Sequence, residues 1–294
     1  MLSLHTNSAS LAAENAITQT QMSLSTSQTR LSTGLRINSS QDDAAGLQIA
    51  TRLKAQTSGM AVAMRNTQNS ISMMQTADGA LQETTNILSR MKDLATQAAD
   101  GSSTATDQTA MQAEYDTLGD QLGNIIANTT FGGTKLLNTG TGTFVGTTGV
   151  TFQVGSSSAE TMNVNLSTQM VALDTALTGT SVHYNGTTGP TVTTAGTELT
   201  GGGANAEINT LSSAIDAVST VRSAFGANEN SLDHVYNNLQ NISTNTQAAT
   251  GRLEDTDFAA ESSNMTSNQM LLQAGTAMLK QSNSISSLVI SLLQ

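Results

Sequence analysis

Between about residues 41 and 99 the chain has no proline and keeps one apolar stripe: Met74, Leu81, Leu88 and Ala95 fall seven apart, with Ile71 and Met91 beside them. Because an α-helix turns once every 3.6 residues, positions seven apart return to nearly the same face. A stripe of this length exceeds that of an ordinary globular helix and predicts a coiled-coil-like rod. Asp100-Gly101 is expected to stop it, with Gly101 supplying the C-terminal turn.

The same period governs most of the rest. Residues 7–33 place Ile17, Leu24 and Leu31 at sevens. A third helix is expected from Thr106-Asp107 to Asn128, with Met111, Tyr115, Leu118, Leu122 and Ile125 as its seam. Helical order returns near Ala206, where Ile208, Leu211, Ile215 and Val218 form one seam, and Leu232, Val235, Leu239, Ile242, Thr246, Ala249 and Leu253 extend it. From about Asp257 two rows interleave. One is Leu271, Met278, Ile285 and Leu292; the other is Met265, Leu272, Leu279 and Leu293, with Ser286 at the skipped place. The period changes to two at Val150, Phe152, Val154 and at Met162, Val164, Leu166, around Gly155-Ser156-Ser157-Ser158, which predicts a β-hairpin. Residues 179–205 are rich in Gly and Thr without an apolar period and read as a short surface loop. The fold class is therefore mainly α with a small β-hairpin region, its N- and C-terminal helices folded together.

Composition supports helices packed side by side. The chain has no Cys, no Trp, a single proline (Pro190) and 3% aromatics, so its core must come from Leu, Ile, Met, Val and Ala. Without Cys there are no disulfides and no thiolate chemistry. A net charge of −11 argues against a nucleic-acid partner, which requires a basic face. The distribution says more than the sum: apart from His5, Glu14 is the one ionisable side chain in residues 1–29, and Lys280 is the one in residues 262–294. Solvated surface helices carry more charge than that. The opening MLSLHTNSAS lacks a basic n-region and an apolar h-region, and no later segment is apolar enough for membrane insertion. Work outside the cell would need another export route.

Residues 30–53 form a joint between two helical pieces. Gly34 loosens the first stripe and Asn38 interrupts it; Ser40 is the expected N-cap of the next helix, with Asp42 and Asp43 in its first turn against the helix dipole. Catalytic chemistry finds no support. His5, His183 and His234 lie far apart without metal-ligand spacing. Gly140-Thr141-Gly142 and Gly146 lack the Lys-Ser/Thr ending of a phosphate loop and read as turns. Glu254-Asp255-Thr256-Asp257 fails calcium-loop spacing and suits a helix start before Phe258. No cofactor is expected. What remains is self-assembly: two charge-poor helical ends can cover each other but not all of their own apolar surface. A head-to-tail contact that does not close gives an open helical filament.

Several stretches resemble one family. RLSTGL (residues 30–35) and DDAAGL (42–47), NILSRMKDLATQAADG (86–101), TTFGGTKLL (129–137), FQVGSSSAETMNVNL (152–166), RLEDTDFAAE (252–261) and QMLLQAGTAMLKQSN (269–283) follow the order of bacterial flagellin motifs. Ser89, Lys92, Asp93 and Gly132 depart from those motifs. The resemblance covers roughly residues 1–178 and 206–294, and the opening MLSLHTN is similar to flagellins of lateral flagella.

The resemblance implies an inner domain of terminal helices (1–43 and 251–294) and an outer helical domain with the hairpin (44–178 and 206–250). Residues 179–205 are too few for a further domain. It implies a self-assembling subunit of the extracellular flagellar filament, exported by the flagellar type III apparatus. Its partners would be further copies of itself, an export chaperone, and hook-associated junction and cap proteins. Ile17, Leu24, Leu31, Leu271, Leu272, Met278, Leu279, Ile285 and Leu292 would pack the assembly, and Gly34, Asn38, Asp42 and Asp43 would form the domain joint. Arg90, Leu94 and Glu114 match positions read by the flagellin-sensing toll-like receptor. The alternatives are a hook–filament junction protein, which shares the terminal helices, and a secreted adhesin or receptor ligand using the Gly/Thr-rich loop.

Overall fold

A computed structural model describes the backbone of residues 7–292 and the side chains of residues 7–284. Among them are helices α1 (Ser8–Thr33), α2 (Ala44–Ala98), α3 (Ala105–Asn128), α4 (Ser167–Thr178), α5 (Ala204–Glu254) and α6 (Phe258–Leu292). Strands β1 (Thr130–Phe131) and β2 (Thr134–Lys135) form one antiparallel pair, and β3 (Val150–Gln153) and β4 (Thr161–Val164) another. The chain divides into two compact units, Met1–Thr57 with Thr244–Gln294, and Ser58–Ser243. Both α2 and α5 contribute residues to each unit.

In the terminal unit, α1 and α6 form an antiparallel pair. Asn7 caps α1, its Oδ1 accepting from the Ser10 amide at 3.2 Å, while its Nδ2 donates to the Ser282 carbonyl at 3.2 Å. At the other end of the pair Arg30 lies 3.7 Å from Glu261. Gly34 ends α1 with φ +75°, a left-handed conformation that costs glycine nothing. Asp257 starts α6, its Oδ1 accepting from the amides of Ala259 (2.9 Å) and Ala260 (3.2 Å), as its place before Phe258 led one to expect.

The other unit holds the core. On α2 one buried row runs Met60, Ala63, Thr67, Ser70, Met74, Ala77, Leu81, Thr84, Leu88, Met91, Ala95 and Ala98, alternating gaps of three and four, with Ile71, Ile87 and Leu94 buried beside it. The polar members are satisfied locally: Thr67, Ser70 and Thr84 donate to the carbonyls four residues back at 2.9, 2.8 and 3.0 Å. On α5 the matching seam is Ala204, Glu207, Leu211, Ala214, Val218, Val221 and Phe225. Arg222 pairs with Asp78 at 2.9 Å, and Met60 and Ala63 cluster with Leu239, so α2 and α5 run antiparallel within this unit. Helix α3 is closed by a reciprocal Thr104–Asp107 capping box, and Phe144 meets the Phe225 ring edge-on at 4.9 Å. The β3–β4 register, Phe152 opposite Met162, matches the alternation in the sequence.

Three expectations are corrected. Ser40 does not cap α2; Asp43 does, its Oδ1 accepting from the Gly46 amide at 2.8 Å, and no acidic residue lies in the first turn. Gly101 is not left-handed; the turn after α2 is held by the Asp100 carboxylate, which accepts from the Ser102 amide at 3.2 Å and from its hydroxyl. Two elements were not anticipated. The first is the β1–β2 hairpin on Gly132-Gly133 (φ +57° and +84°), a turn that requires left-handed backbone at both places. The second is α4, with Met170, Leu173 and Leu177 buried. Finally, residues 180–203 contain no helix or strand yet are not a surface loop: Thr180, Ser181, His183, Tyr184 and Leu199 are buried. This strap lies on α3, so close that a side chain on Gly123 would come within 3.2 Å of the Asn185 backbone nitrogen.

Candidate assembly surface and joint

The joint residues are drawn together by hydrogen bonds rather than by apolar contact. After Gly34 the chain pairs with residues 254–256: Leu35 bridges Asp255, the Arg36 amide donates to the Glu254 carbonyl, and the Thr256 amide donates to the Gly34 carbonyl at 3.0 Å. Asn38 Nδ2 donates to the Leu35 carbonyl at 2.8 Å. Asp42 gathers the amides of Asn38 (3.1 Å) and Ser39 (2.8 Å), and these bonds hold its carboxyl below the usual aspartate range. Buried Glu254 is neutralised by Lys54 at 2.5 Å. Gly34 ends α1, Asn38 and Asp42 hold the backbone that follows it, and Asp43 caps α2.

On α1 and α6 the two predicted rows behave differently. Ile17, Leu24 and Leu31 are half-buried, as are Met265, Leu272 and Leu279. Gly275 allows this closeness, since a Cβ there would stand 2.9 Å from Ile17 Cγ1. The adjacent row is bare: Leu271 is 56% and Met278 66% exposed. Ile285, Leu292 and Leu293 continue the rows in sequence, but their side chains lie outside the described residues, as does His5. Further bare apolar side chains were not anticipated: Met270 on α6, and Leu11 and Met22 on α1. Leu11 and Met22 stand eleven residues apart, three helical turns, which was the available signal for a second stripe.

The sole buried residue of α1 is Ser27, and on α6, among described side chains, the sole one is Glu261. A two-helix pair thus half-covers one row and leaves another in water. Arg90 and Glu114 meet as an exposed ion pair at 2.6 Å. Leu94 does not join them on the surface: it is 2% exposed, packed in the core beside Ala95. His183 is buried in the strap and His234 is exposed. The Gly140–Gly142 segment is a turn built on Asn138, whose Oδ1 accepts from the amides of Gly140 (3.0 Å) and Thr141 (2.9 Å). No described helix is long and apolar enough to cross a membrane.

Residues 4–141 match the family model for the bacterial flagellin N-terminal helical region, and residues 208–293 that for the C-terminal helical region. Polar flagellin F of Vibrio parahaemolyticus is 46% identical over 165 residues, covering 56% of this chain and 42% of that relative, so less than half of the relative's length is matched. A crystal structure of Bacillus cereus flagellin is 33% identical, covering 63% of this chain and 94% of its own, with a TM-score of 0.48. A flagellar hook-associated protein from Vibrio parahaemolyticus, 17% identical, covers 73% of this chain and all of its own at a TM-score of 0.54, which is a likeness of fold.

Proposed function

Because this chain belongs to the bacterial flagellin family, we propose that it is the repeating structural subunit of an extracellular flagellar filament, with no catalytic role. The observation that carries the reading is the bare row Leu271–Met278 on a helix whose neighbouring row, Leu272 and Leu279, is already half-buried. Burying one Leu or Met side chain contributes about 1.5–3 kcal/mol. Repeated in every subunit, a contact that presents this row to a different face of the next copy propagates without closing and yields a tube. The near absence of charge on both helices removes the desolvation cost that such packing would otherwise meet.

The inner domain is assigned to residues 1–43 and 251–294, and the outer to 44–178 and 206–250. The hydrogen-bonded joint around residues 34–43 and 254–257 lies within the terminal unit, whose compact limits fall further along α2 and α5, at residues 57 and 244. Export through the type III apparatus with a dedicated chaperone, and contact with junction and cap proteins, follow from family membership. The opening MLSLHTN favours a lateral flagellum. Recognition by a toll-like receptor rests on Arg90 and Glu114 alone.

The test is Met278→Lys. A lysine in the exposed row costs the monomer nothing, but on assembly it is buried without a partner, at a cost of several kcal/mol. Seeded polymerisation should fail while the monomer's melting transition stays in place. Normal filaments from the variant would show that this row faces solvent in the assembly. Loss of the monomer's fold would place Met278 in the subunit's own core.

A further inference from the structure

The strap over residues 180–199 is held to α3 and α5 by bonds whose proton count can be read from geometry. The Tyr115 hydroxyl lies 2.6 Å from the Thr180 carbonyl and 2.9 Å from Glu207 Oε1. A phenol has one hydrogen, so an ionised Glu207 and the Thr180 carbonyl compete for it; both contacts are bonds at once only when the carboxyl is protonated and donates to the phenol oxygen. His183 poses the same question. Its Nδ1 lies 3.0 Å from Asp120 Oδ1 and its Nε2 3.0 Å from the Thr194 carbonyl, two acceptors that require both ring nitrogens to carry hydrogen. Tyr115, His183 and Glu207 are all buried, so water does not replace a lost partner cheaply.

We propose that the strap is a pH-sensitive latch, closed by one proton on Glu207 and one on His183 and loosened when either leaves. Removing the Glu207 proton makes the carboxylate and the Thr180 carbonyl compete for the single Tyr115 hydrogen. Removing the His183 proton leaves either Asp120 or Thr194 without its donor. Each proton thus secures one strap carbonyl, Thr180 at its start and Thr194 midway.

The charged groups around the latch are accounted for. Facing His183 from α3 are Asp120 and Asp116, the latter 3.7 Å from Nε2. Facing Glu207 are Tyr115 from α3 and the Glu198 charge from the strap. Other bonds do not depend on these protons: Gln112 donates to Asp116 and Glu198 at 2.7 Å each and accepts from the Leu199 amide at 2.7 Å, and the Gly196 amide donates to Asp116 at 3.0 Å. They keep the 196–199 end docked, and Asn138 to the Thr187 carbonyl (2.6 Å), the Thr139 amide to the Gly186 carbonyl (3.1 Å) and Tyr184 to Asp174 (3.1 Å) hold the middle, so loosening is confined to the neighbourhoods of Thr180 and Thr194.

The titration directions agree with the geometry. Burial pushes the Glu207 carboxyl up to about 7, with the Glu198 charge, against the Tyr115 hydroxyl, whose bond to the ionised form pulls it down. For His183 burial opposes the charge, but the bonds to Asp120 and Thr194 and the Asp116 carboxylate outweigh it and raise the imidazole above its ordinary value. A group whose folded pKa is raised stabilises fully below its unfolded pKa and loses that contribution as pH rises through the folded value. For Glu207 the loss runs from the ordinary glutamate range to about 7; for His183 it begins near the ordinary histidine value and continues above it. Both act in one sense, tight in acid and loose in base.

The experiment is amide hydrogen exchange of the full-length monomer from pH 5 to 8.5, corrected for intrinsic exchange. Protection of the amides around Thr180 and Thr194 should fall at least tenfold across the range, while α2 residues 74–88 keep theirs. Glu207→Gln, whose amide donates to the phenol at every pH, should flatten the profile below pH 6.5. His183→Gln should flatten it above. Constant protection in the wild-type chain, or an unchanged slope in a folded Glu207→Gln variant, overturns the latch. If neither variant folds, the wild-type profile decides by itself.

Discussion

The terminal unit and the unit of residues 58–243 are written in the same code and end in different states. Both use proline-free helices with apolar residues at sevens. In the terminal unit the rows on α1 and α6 stay half-buried or bare. In the other, Met74, Leu81, Leu88, Met91, Tyr115, Leu122, Leu211, Val218 and Phe225 have essentially no exposed surface. The difference is not the strength of the stripe but the number of surfaces available to close on it. Two helices offer each other one seam. Helices α3 and α4, the hairpins and the strap close around the seams of α2 and α5 from several sides. A heptad row therefore specifies a face that seeks a partner, and says nothing of whether the partner lies in the same chain.

The sharpest way to break this contrast is to truncate one large apolar side chain to alanine in each unit. Phe225, fully buried and edge-on to Phe144, should cost about 3–5 kcal/mol on substitution by alanine. Leu24→Ala, in a half-buried row, should leave the main unfolding transition of the monomer unmoved. Thermal melts followed by circular dichroism check both. A Leu24→Ala loss as large as that of Phe225→Ala would mean that the terminal helices belong to the cooperative core.

Adjacent residues on α6 sharpen it further. Leu272 is half-buried within the subunit, whereas Leu271 is more than half exposed. Leu271→Ala should leave the monomer unchanged and raise the critical concentration for polymerisation about tenfold or more, since about 1.4 kcal/mol is tenfold and a buried leucine is worth at least that. Leu272→Ala should instead increase exchange along α1 in the monomer. Identical behaviour of the two variants would erase the distinction between the rows.

What could be read from residues alone follows the same line. The α2 seam, the β3–β4 alternation and the Asp257 cap were legible, because a period or a capping side chain states its own geometry. The strap was not. Its burial rests on bonds from Gln112, Asp116, Asp120 and Tyr115 to its backbone and side chains, and a stretch of Gly and Thr without a period carries no trace of them. Helix α4 was missed because twelve residues show only three seam positions. Ser40 and Asp43 are both good capping residues, and only the path of the chain after Asp42 decides between them. On the candidate surface, periodicity found Leu271 and Met278 but could not tell which of two adjacent rows the subunit covers itself.

The smallest expected effect is on the surface of the unit that is otherwise most sensitive. Arg90 and Glu114 meet at 2.6 Å, but their side chains are 54% and 46% exposed. Such a pair gains little over its two hydrated ions and is screened by salt, so it is worth under about 1 kcal/mol. Arg90→Ala should therefore shift the monomer's melting temperature only marginally, in contrast to the buried Leu94 four residues on, where alanine should cost about 2–5 kcal/mol. The contrast makes receptor experiments readable. Loss of activation in Leu94→Ala reports unfolding as readily as lost contact, whereas loss in Arg90→Ala with Glu114→Ala, at an unchanged melting transition, reports recognition itself. If soluble monomer carrying that double substitution activates the toll-like receptor as fully as the wild-type chain, the recognition role carried over from the family does not apply to this surface.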